Sequence, residues 1–362
     1  MKLPIEKNVS LAQYTTLQVG GVADYFCPLT DLEQLPAIAD FAAVEKLPIL
    51  VLGGGSNMLV ADGKLSQLVV KNELKGIIFR DKESEETYVT AAAGENWDAL
   101  VAQVVERGLS GLENLSGIPG TVGAAPIQNI NAYGTSASET IEEVVVYNTK
   151  TKQFSNLTAA ACLFGYRDSV FKHAAGANLI VTSVTFRLAP TRTTNLNYRS
   201  ASQSIERYLQ EQNINEPTLT DIRQAILHVR KNIGMVPGCF RSAGSFFKNT
   251  IVTADEFSHV EKIVADNFAT IGAKFAPWHW LLPDGTVKIS TAFLMECTTY
   301  NKHTYGTLRW RDVVGLSPLH SLSIVTEPGA TATDVKDFSI LIIAAVEKTF
   351  KIKIETEVNF IE

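Results

Sequence analysis

The chain has 362 residues, of which 46% are hydrophobic and 19% are charged, a balance that excludes a disordered protein and predicts a sizeable core. Its 32 basic and 38 acidic residues give a net charge of −6, which argues against a nucleic acid as the main partner. At ~150 residues per domain the length predicts about two to three domains, and no apolar run reaches the ~20 residues of a membrane span.

The first 190 residues alternate between helical and strand-like patterns. Amphipathic periodicity predicts helices over residues 31–44 and 97–107. Apolar or alternating runs predict strands over residues 47–52, 65–71, 87–92, 141–147 and 180–188. This order is typical of a fold that mixes helices and sheets.

A segment rich in Thr and Asn, residues 190–197, then predicts a boundary or an exposed loop. Beyond it, periodicity predicts helices over residues 220–232 and 333–350. Residues 351–361 alternate as a half-buried strand does, and such a strand must pair with a segment earlier in the sequence.

The four cysteines are widely spaced and form no CxxC pair: Cys27, Cys162, Cys239 and Cys297. Their spacing argues against a zinc site or a disulfide framework, so we expect reduced thiols and no metal ion. Residues 1–7 contain no apolar stretch typical of a secretory signal, which favours a cytoplasmic location.

The first segment with chemical potential is the glycine run Gly53, Gly54 and Gly55, directly after a predicted strand. Consecutive glycines let backbone N–H groups approach an anion without interference from Cβ atoms. The run is not a Rossmann fingerprint, because a GxGxxG motif that starts at Gly53 needs glycine where Met58 stands. A tight turn after the strand is the alternative interpretation.

The second segment, residues 111–129, is rich in small residues, which would let the backbone wrap around a flat or phosphorylated ligand. The small residues are Gly117, Gly120, Gly123, Ala124 and Ala125. The amides of Gln128 and Asn129, which follow, can donate and accept hydrogen bonds to a heterocycle. A structural linker is the alternative.

Three further segments carry one or two reactive side chains each. Arg167 lies beside an aromatic residue, as suits bidentate recognition of a carboxylate or phosphate, although a surface arginine in an ion pair is the alternative. Ser245, followed by two phenylalanines, could be a hydroxyl shielded from water, or a helix N-cap. Period-two alternation places Glu355 and Glu357 on one strand face, where two carboxylates tune each other's protonation unless the face is simply solvated.

Taken in order, these segments resemble the UDP-N-acetylenolpyruvoylglucosamine reductase family, MurB, and in particular its longer, type I members. The similarity runs from Tyr14-Thr-Thr-Leu to Glu357-Val-Asn-Phe-Ile and covers most of the chain. The segments that carry it are residues 53–57, 111–120, 128–134, 164–169 and 244–249.

The resemblance implies a cytoplasmic, monomeric flavoenzyme of peptidoglycan synthesis that binds FAD and takes electrons from NADPH. Such an enzyme reduces the enolpyruvyl ether of UDP-N-acetylglucosamine enolpyruvate to UDP-N-acetylmuramate, and it needs no nucleic acid or membrane partner. The implied fold class is α+β. A two-part FAD-binding region of the vanillyl-alcohol-oxidase (PCMH) type would occupy residues 1–75 and 76–230, and a substrate-binding domain residues 231–350, with residues 351–362 returning to the body.

The resemblance also implies site residues. Arg167 and Glu357 would meet the negative charge that develops on the substrate, and Ser245 would deliver a proton; Glu357 helps only if protonated, so its pKa should be raised. The FAD contacts would be Gly53, Gly54, Gly55, Ser56, Asn57, Met58, Ile118, Pro119, Gly120, Thr121, Gly123, Ala124, Ala125, Gln128, Asn129 and Ala132. The substrate or NADPH contacts would be Tyr133, Tyr166, Lys248, Asn249 and Tyr198, the last covering the substrate diphosphate.

The chain departs from the family pattern in its third domain. The family's Ala-Gly-Trp-Leu-Ile-Glu reads Thr291-Ala-Phe-Leu-Met-Glu296 here, and the stretch that follows carries Lys302, Arg309 and Arg311. His320 stands near the family's glutamine, and Lys231 is the candidate for its phosphate-binding lysine.

Two alternative functions remain open. One is an FAD-linked oxidase with another substrate, against which the joint presence of Arg167, Ser245 and Glu357 argues. The other is a homologue that binds a nucleotide sugar without turning it over.

Overall fold

The computed structural model describes residues 3–81, 85–190 and 202–362, and all structural statements below concern these residues. The strands are β1 (Glu6–Ser10), β2 (Val22–Leu29), β3 (Ile49–Leu52), β4 (Met58–Val60), β5 (Lys64–Asn72), β6 (Ile77–Asp81), β7 (Thr87–Ala92), β8 (Asn131–Ala132), β9 (Thr135–Ser136), β10 (Ile141–Asn148), β11 (Gln153–Thr158), β12 (Leu179–Leu188), β13 (Thr250–Val252), β14 (His279–Leu281), β15 (Val287–Ile289), β16 (Val314–Leu316), β17 (Ile324–Thr326) and β18 (Asn359–Ile361). The helices are α1 (Gln34–Glu45), α2 (Trp97–Glu106), α3 (Ser202–Glu211), α4 (Leu219–Asn232), α5 (Ala254–Asn267), α6 (Ala269–Lys274), α7 (Thr291–Glu296), α8 (Lys302–Tyr305) and α9 (Ala332–Phe350).

The chain divides into two compact units, and neither is continuous in sequence. Unit 1 comprises the chain up to Val9, Val22–Gly55 and Lys64–Lys231. Unit 2 comprises Ser10–Gly21, Ser56–Gly63 and Asn232–Glu362.

Unit 1 contains two larger sheets. The first has the strand order β1-β2-β5-β3, and both β2 and β3 run parallel to β5. Helix α1 provides the crossover that two parallel strands require. The second sheet, β11-β10-β12-β7-β6, is antiparallel at every pairing. Short connections join β6 to β7 and β10 to β11, whereas long connections, the first of which includes α2, join β7 to β10 and β11 to β12.

The hydrophobic core of unit 1 explains which faces are buried. Helix α1 packs Leu35 and Ile38 on the first sheet, and Tyr147 and Ile180 of the second sheet join the same cluster. Helix α2 buries its apolar stripe, which includes Leu100 and Val104, against the second sheet. Burial at spacings of three and four residues is what an amphipathic helix of this length requires.

Unit 2 is built around helix α9. Its buried residues recur every three or four positions: Val335, Phe338, Ile342, Val346 and Phe350. Asp62, from an early segment of the chain, accepts the N–H groups of Ala332 at 2.9 Å and Thr333 at 2.8 Å. Because the first N–H groups of a helix have no partner within the helix, this carboxylate stabilises the start of α9.

Small sheets complete unit 2. Strands β13, β15 and β14 form an antiparallel sheet, β16 and β17 form a hairpin, and β18 pairs with β4 in parallel. The alternating burial predicted for residues 351–361 is observed at Ile352 and Ile354. The predicted continuous strand there is wrong, because only residues 359–361 form a regular strand.

The other predicted helices and strands are confirmed, with small shifts at their ends, and so is the mixed α and β fold class. Over the residues described, no helix combines the length and apolar character needed to cross a bilayer. The same residues include no cluster of three or more His, Cys, Asp or Glu side chains that could hold a metal ion. Burial raises the thiol pKa values of Cys27 and Cys162 to about 11 and of Cys297 to about 12.

Candidate active site

Two glycine loops of unit 1 pack directly against each other. The first glycine loop (residues 53–55) leaves strand β3, and the second glycine loop (residues 117–125) follows helix α2. A Cβ atom on Gly54 would lie 2.7 Å from the Cα atom of Gly120, and one on Gly53 would lie 2.8 Å from Thr121 Oγ1. The two backbones therefore meet only because side chains are absent. They form a cradle of main-chain groups, to which an anionic ligand can come close without interference from Cβ atoms.

The second glycine loop is also fixed to the sheet beneath it. Gly123 donates its N–H to the Ala93 carbonyl at 2.9 Å, and a Cβ atom on Gly123 would lie 2.6 Å from Ala93 Cβ. Trp97 donates its backbone N–H to the Gly120 carbonyl at 3.1 Å. These bonds hold the loop at the connection between β7 and α2.

Both polar groups of Gly117 in the second glycine loop are held by charged side chains. Asp98 Oδ1 accepts the Gly117 N–H at 2.6 Å, and Arg230 Nε donates to the Gly117 carbonyl at 3.1 Å. Arg223 holds Asp98 by two hydrogen bonds of 2.6 and 2.9 Å. Burial by itself would raise the pKa of Asp98. The bonds from Arg223 and Gly117 and the charges of Arg223 and Arg230 outweigh it, so the pKa is lowered.

Arg230 links Gly117 to Tyr133, a predicted ligand contact. Burial lowers the pKa of the Arg230 guanidinium, while the charge and hydrogen bond of Tyr133 act in the opposite direction. Tyr133 has a φ of 50°, and Asn114 Nδ2 donates to its carbonyl at 3.3 Å. Sequence reasoning missed Asp98, Arg223 and Arg230 as parts of the site. The seven-residue spacing of the two arginines on α4, which places them on one face, is the signal that could have found them.

Asn129 connects the second glycine-rich segment to the arginine turn. Its Nδ2 donates to the Gly165 carbonyl at 3.0 Å, and its Oδ1 accepts the Ser138 N–H at 3.0 Å. The side-chain amide of Asn129 thus forms hydrogen bonds to the backbone of two segments, at Gly165 and at Ser138. Contacts from Gln128 and Asn129 to a cofactor stay predictions.

Arg167 lies in a tight turn that several contacts hold. Gly165 and Asp168 exchange backbone hydrogen bonds of 3.0 and 3.4 Å across the turn, and Arg167 has a φ of 53°. Lys172 Nζ donates to the Arg167 carbonyl at 2.9 Å, and His173 Nε2 lies 2.9 Å from an Asp168 carboxylate oxygen. The left-handed conformation is uncommon for a residue with a long side chain, and these contacts maintain it.

The backbone segments that carry Ser245 and Glu357 pair with each other within unit 2. Phe246 accepts the Glu357 N–H at 2.8 Å, and Lys248 donates its N–H to the Glu355 carbonyl at 2.9 Å. These bonds pair residues 246–248 with residues 355–357, so Ser245 lies at the Glu357 end of the pairing. The N-cap alternative is wrong, because the first helix after Ser245 is α5, which begins only at Ala254 and has Thr253 as its N-cap.

The side chains around this backbone pairing are either buried or held by polar contacts. Phe246 and Phe247 lie in the core of unit 2 with exposures of 0% and 1% and therefore anchor Ser245. Asn57, predicted as a flavin contact, donates from Nδ2 to the Glu357 carbonyl at 3.4 Å. Glu355 is exposed and pairs with Lys248 Nζ at 3.2 Å, so the solvated-face interpretation fits Glu355.

Asn249 and Lys248 also fix the start of α7. Asn249 Oδ1 accepts the Thr291 N–H at 3.2 Å, and Thr291 Oγ1 donates to the Lys248 carbonyl at 2.6 Å. The substrate contacts predicted for Lys248 and Asn249 stay predictions, as does that for Tyr166, which is 41% exposed. Tyr198 lies outside the described residues.

Two of the cations that distinguish the third domain, Arg309 and Arg311, form ion pairs inside unit 2. Arg309 pairs with Glu327 at 3.2 Å and donates to the Gly306 carbonyl at 2.9 Å. Arg311 pairs with Asp334 at 3.1 Å and with Asp337 at 3.2 Å. These two arginines therefore stabilise the fold around α9.

The glycine-lined cradle lies beside a partly parallel sheet and contains no Rossmann motif, and the class of protein follows from the family models that match this chain. Residues 23–150 match the family model described as an FAD binding domain. Residues 236–361 match the model described as the UDP-N-acetylenolpyruvoylglucosamine reductase C-terminal domain.

Whole-chain comparisons give the family. The chain is 37% identical to the UDP-N-acetylenolpyruvoylglucosamine reductase of Thermobifida fusca, covering 99% of this chain and 98% of that protein. It is 35% identical to the reductase of Chromobacterium violaceum, covering 99% of both. The crystal structure of the reductase from Thermus caldophilus shares the fold, with a TM-score of 0.63 at 24% identity and full coverage of both chains. This chain belongs to the UDP-N-acetylenolpyruvoylglucosamine reductase family.

Proposed function

We propose that this protein reduces UDP-N-acetylglucosamine enolpyruvate to UDP-N-acetylmuramate for peptidoglycan synthesis, and that Ser245, Glu357 and Arg167 carry out the protein's part of the chemistry. When bound, FAD supplies the hydride, which NADPH replenishes. The observation that supports the proposal is the backbone pairing of residues 246–248 with 355–357, in which Phe246, the residue after Ser245, accepts the Glu357 N–H.

Ser245 is the proposed proton donor. Addition of hydride to the terminal carbon of the enolpyruvyl group leaves negative charge on the adjacent carbon and its carboxylate. A hydroxyl is a weak acid, but it can protonate so basic a carbon where water is excluded. The buried Phe246 and Phe247 support this role because they fix the backbone that carries the hydroxyl.

Arg167 and Glu357 are the proposed stabilisers of that charge. A guanidinium in a rigid turn meets a carboxylate with two donors in a fixed plane. Glu357 assists as a protonated acid, since a second carboxylate would repel the developing charge.

The binding residues are proposed as follows. The main-chain groups of the two glycine loops hold FAD, together with Ser56, Asn57, Met58, Gln128, Asn129 and Ala132. Tyr133, Tyr166, Tyr198, Lys248 and Asn249 hold the substrate or NADPH, and Lys231 and His320 are candidates near the nucleotide. The protein acts as a cytoplasmic monomer.

The test separates the two half-reactions of the full-length holoprotein under anaerobic conditions. In Ser245→Ala, flavin bleaching by NADPH should proceed at the rate of the unmodified protein. Reoxidation by UDP-N-acetylglucosamine enolpyruvate should slow by about 10²–10⁴-fold, as for loss of a general acid.

The matched control is Ser258→Ala, because Ser258 is an exposed serine of α5 in the same unit. It should leave both half-reactions unchanged. Equal slowing of both half-reactions in Ser245→Ala would contradict the proton-donor role. Reoxidation of the unmodified protein by oxygen alone would contradict the substrate and favour the oxidase alternative.

A further inference from the structure

Lys71 reaches the first glycine loop from the neighbouring strand. Lys71 of β5 pairs with Leu52 of β3, and Gly53 is the next residue along the chain. Lys71 Nζ donates to the Gly53 carbonyl at 2.6 Å. The ammonium therefore lies at the carboxyl ends of two parallel strands, the edge at which open α/β sheets bind their ligands.

This hydrogen bond fixes the direction of a loop N–H group. The Gly53 carbonyl and the Gly54 N–H belong to one planar trans peptide, so they point in opposite directions. With the carbonyl held by Lys71, the Gly54 N–H faces away from the ammonium. The first loop is also packed closely at this point, since a Cβ atom added to Gly54 would lie 2.7 Å from the Gly120 Cα atom.

Lys71 also brings a partly desolvated positive charge behind the loop. Burial lowers the pKa of its ammonium, the charge of Lys75 adds to the effect, and the charge of Glu73 opposes it. A charge in such a place is weakly screened by solvent, so it acts on an anion at the loop more strongly than an exposed lysine does.

We propose that Lys71 is a positioning residue for the diphosphate of FAD: it orients the Gly53–Gly54 peptide so that its N–H group faces the anion, and it places a positive charge behind the first glycine loop. The inference rests on FAD binding by unit 1 and not on the identity of the substrate. A failure of the proposed reductase reaction would therefore leave it standing.

The chain offers a matched control in Lys75. Its Nζ donates to the Gly94 carbonyl at 2.6 Å, the same kind of bond at the same length, but to a loop other than residues 53–55. Gly94 follows Ala93, which accepts the Gly123 N–H, so Lys75→Met removes an equivalent lysine–carbonyl bond next to the second glycine loop and leaves the first glycine loop unchanged.

The experiment is equilibrium dialysis of the full-length protein with FAD and, separately, with riboflavin, which lacks the diphosphate. Lys71→Met should weaken FAD binding by about ten- to a hundredfold, as for loss of a hydrogen bond to a charged group, and should change riboflavin binding far less. Lys71→Arg should restore most of the FAD affinity. Lys71→Gln, which keeps a donor but no charge, should restore part of it and should reduce the salt dependence of FAD binding.

Three results would overturn the proposal. The first is unchanged FAD affinity in both Lys71→Met and Lys71→Gln. The second is an equal loss for FAD and riboflavin, which would make Lys71 a general structural residue. The third is a Lys75→Met variant that matches Lys71→Met both in its loss of FAD affinity relative to riboflavin and in its change of salt dependence.

Discussion

Gly54→Ala tests whether the two glycine loops depend on backbone contact. The new Cβ atom would lie 2.7 Å from Gly120 Cα, whereas ordinary van der Waals contact begins at 3.4 Å. Since the opposing atom is backbone, no rotamer change relieves the overlap, and one loop must move. Overpacking of this kind costs about 1–3 kcal/mol. If the loops separate, the cost reduces FAD affinity by about 5- to 150-fold; if they stay together, it lowers the free energy of unfolding.

The assay measures both quantities on the same protein: the FAD dissociation constant by flavin fluorescence, and the unfolding free energy by urea titration of the holoprotein. Gly53→Ala provides the comparison, because its Cβ atom would meet a side-chain atom, Thr121 Oγ1, at 2.8 Å. Thr121→Ala should therefore rescue Gly53→Ala but not Gly54→Ala. The close packing of the loops would be refuted if Gly54→Ala kept the FAD dissociation constant and the unfolding free energy of the unmodified protein. It would also be refuted if Thr121→Ala rescued Gly53→Ala and Gly54→Ala equally.

Two further predictions concern carboxylates that hold backbone N–H groups. Asp98→Asn should lower the unfolding free energy by about 1.5–3 kcal/mol at pH 7, because it weakens charged hydrogen bonds to Gly117 and Arg223. The pKa of Asp98 is lowered in the folded state, so Asp98 stabilises the fold above its unfolded-state pKa of about 4, and this stabilisation is lost as the pH falls through the folded-state pKa. In urea titrations from pH 7 to pH 3, the unfolding free energies of the unmodified protein and Asp98→Asn should therefore converge. A difference in unfolding free energy that stays constant with pH would contradict the ion pair. Asp62→Ala should lower the unfolding free energy by about 0.5–2 kcal/mol, because it removes the acceptor for the first N–H groups of α9, and Asp62→Asn should lower it by less. An unchanged melting temperature in both variants would contradict this capping role.

The local patterns of the sequence predicted more than its long-range contacts. Helices such as α2 and α9 could be predicted from periodicity, because the residues of each buried face recur every three or four positions along the chain. Runs of small residues likewise marked the two glycine loops. That Gly54 packs on Gly120 was not predictable, since no local pattern records which loop another loop touches.

The partners of the charged residues were also not predictable from the sequence. Arg223 and Asp98 are 125 positions apart, and one sequence cannot pair them. Arg311 stood out as a basic residue in the divergent third domain, but its partners Asp334 and Asp337 lie on a helix that follows it. The tail was predicted as one strand because its alternation is real, yet alternation reports burial on one side and not the presence of a continuous partner strand.

The parallel pairing of β18 with β4 has a consequence for synthesis of the protein. Asn359 donates to the carbonyl of Asn57, 302 residues earlier, so this bond forms only when almost all of the chain has left the ribosome. Closing a loop of that size is costly in entropy and slow compared with local folding. Strands β7, β10 and β12 of unit 1 lie within a contiguous stretch and can pair while translation continues at about 5–20 residues per second. The pairing that completes this part of unit 2 is therefore among the last to form, and until β18 is available the edge of β4 lacks its partner strand.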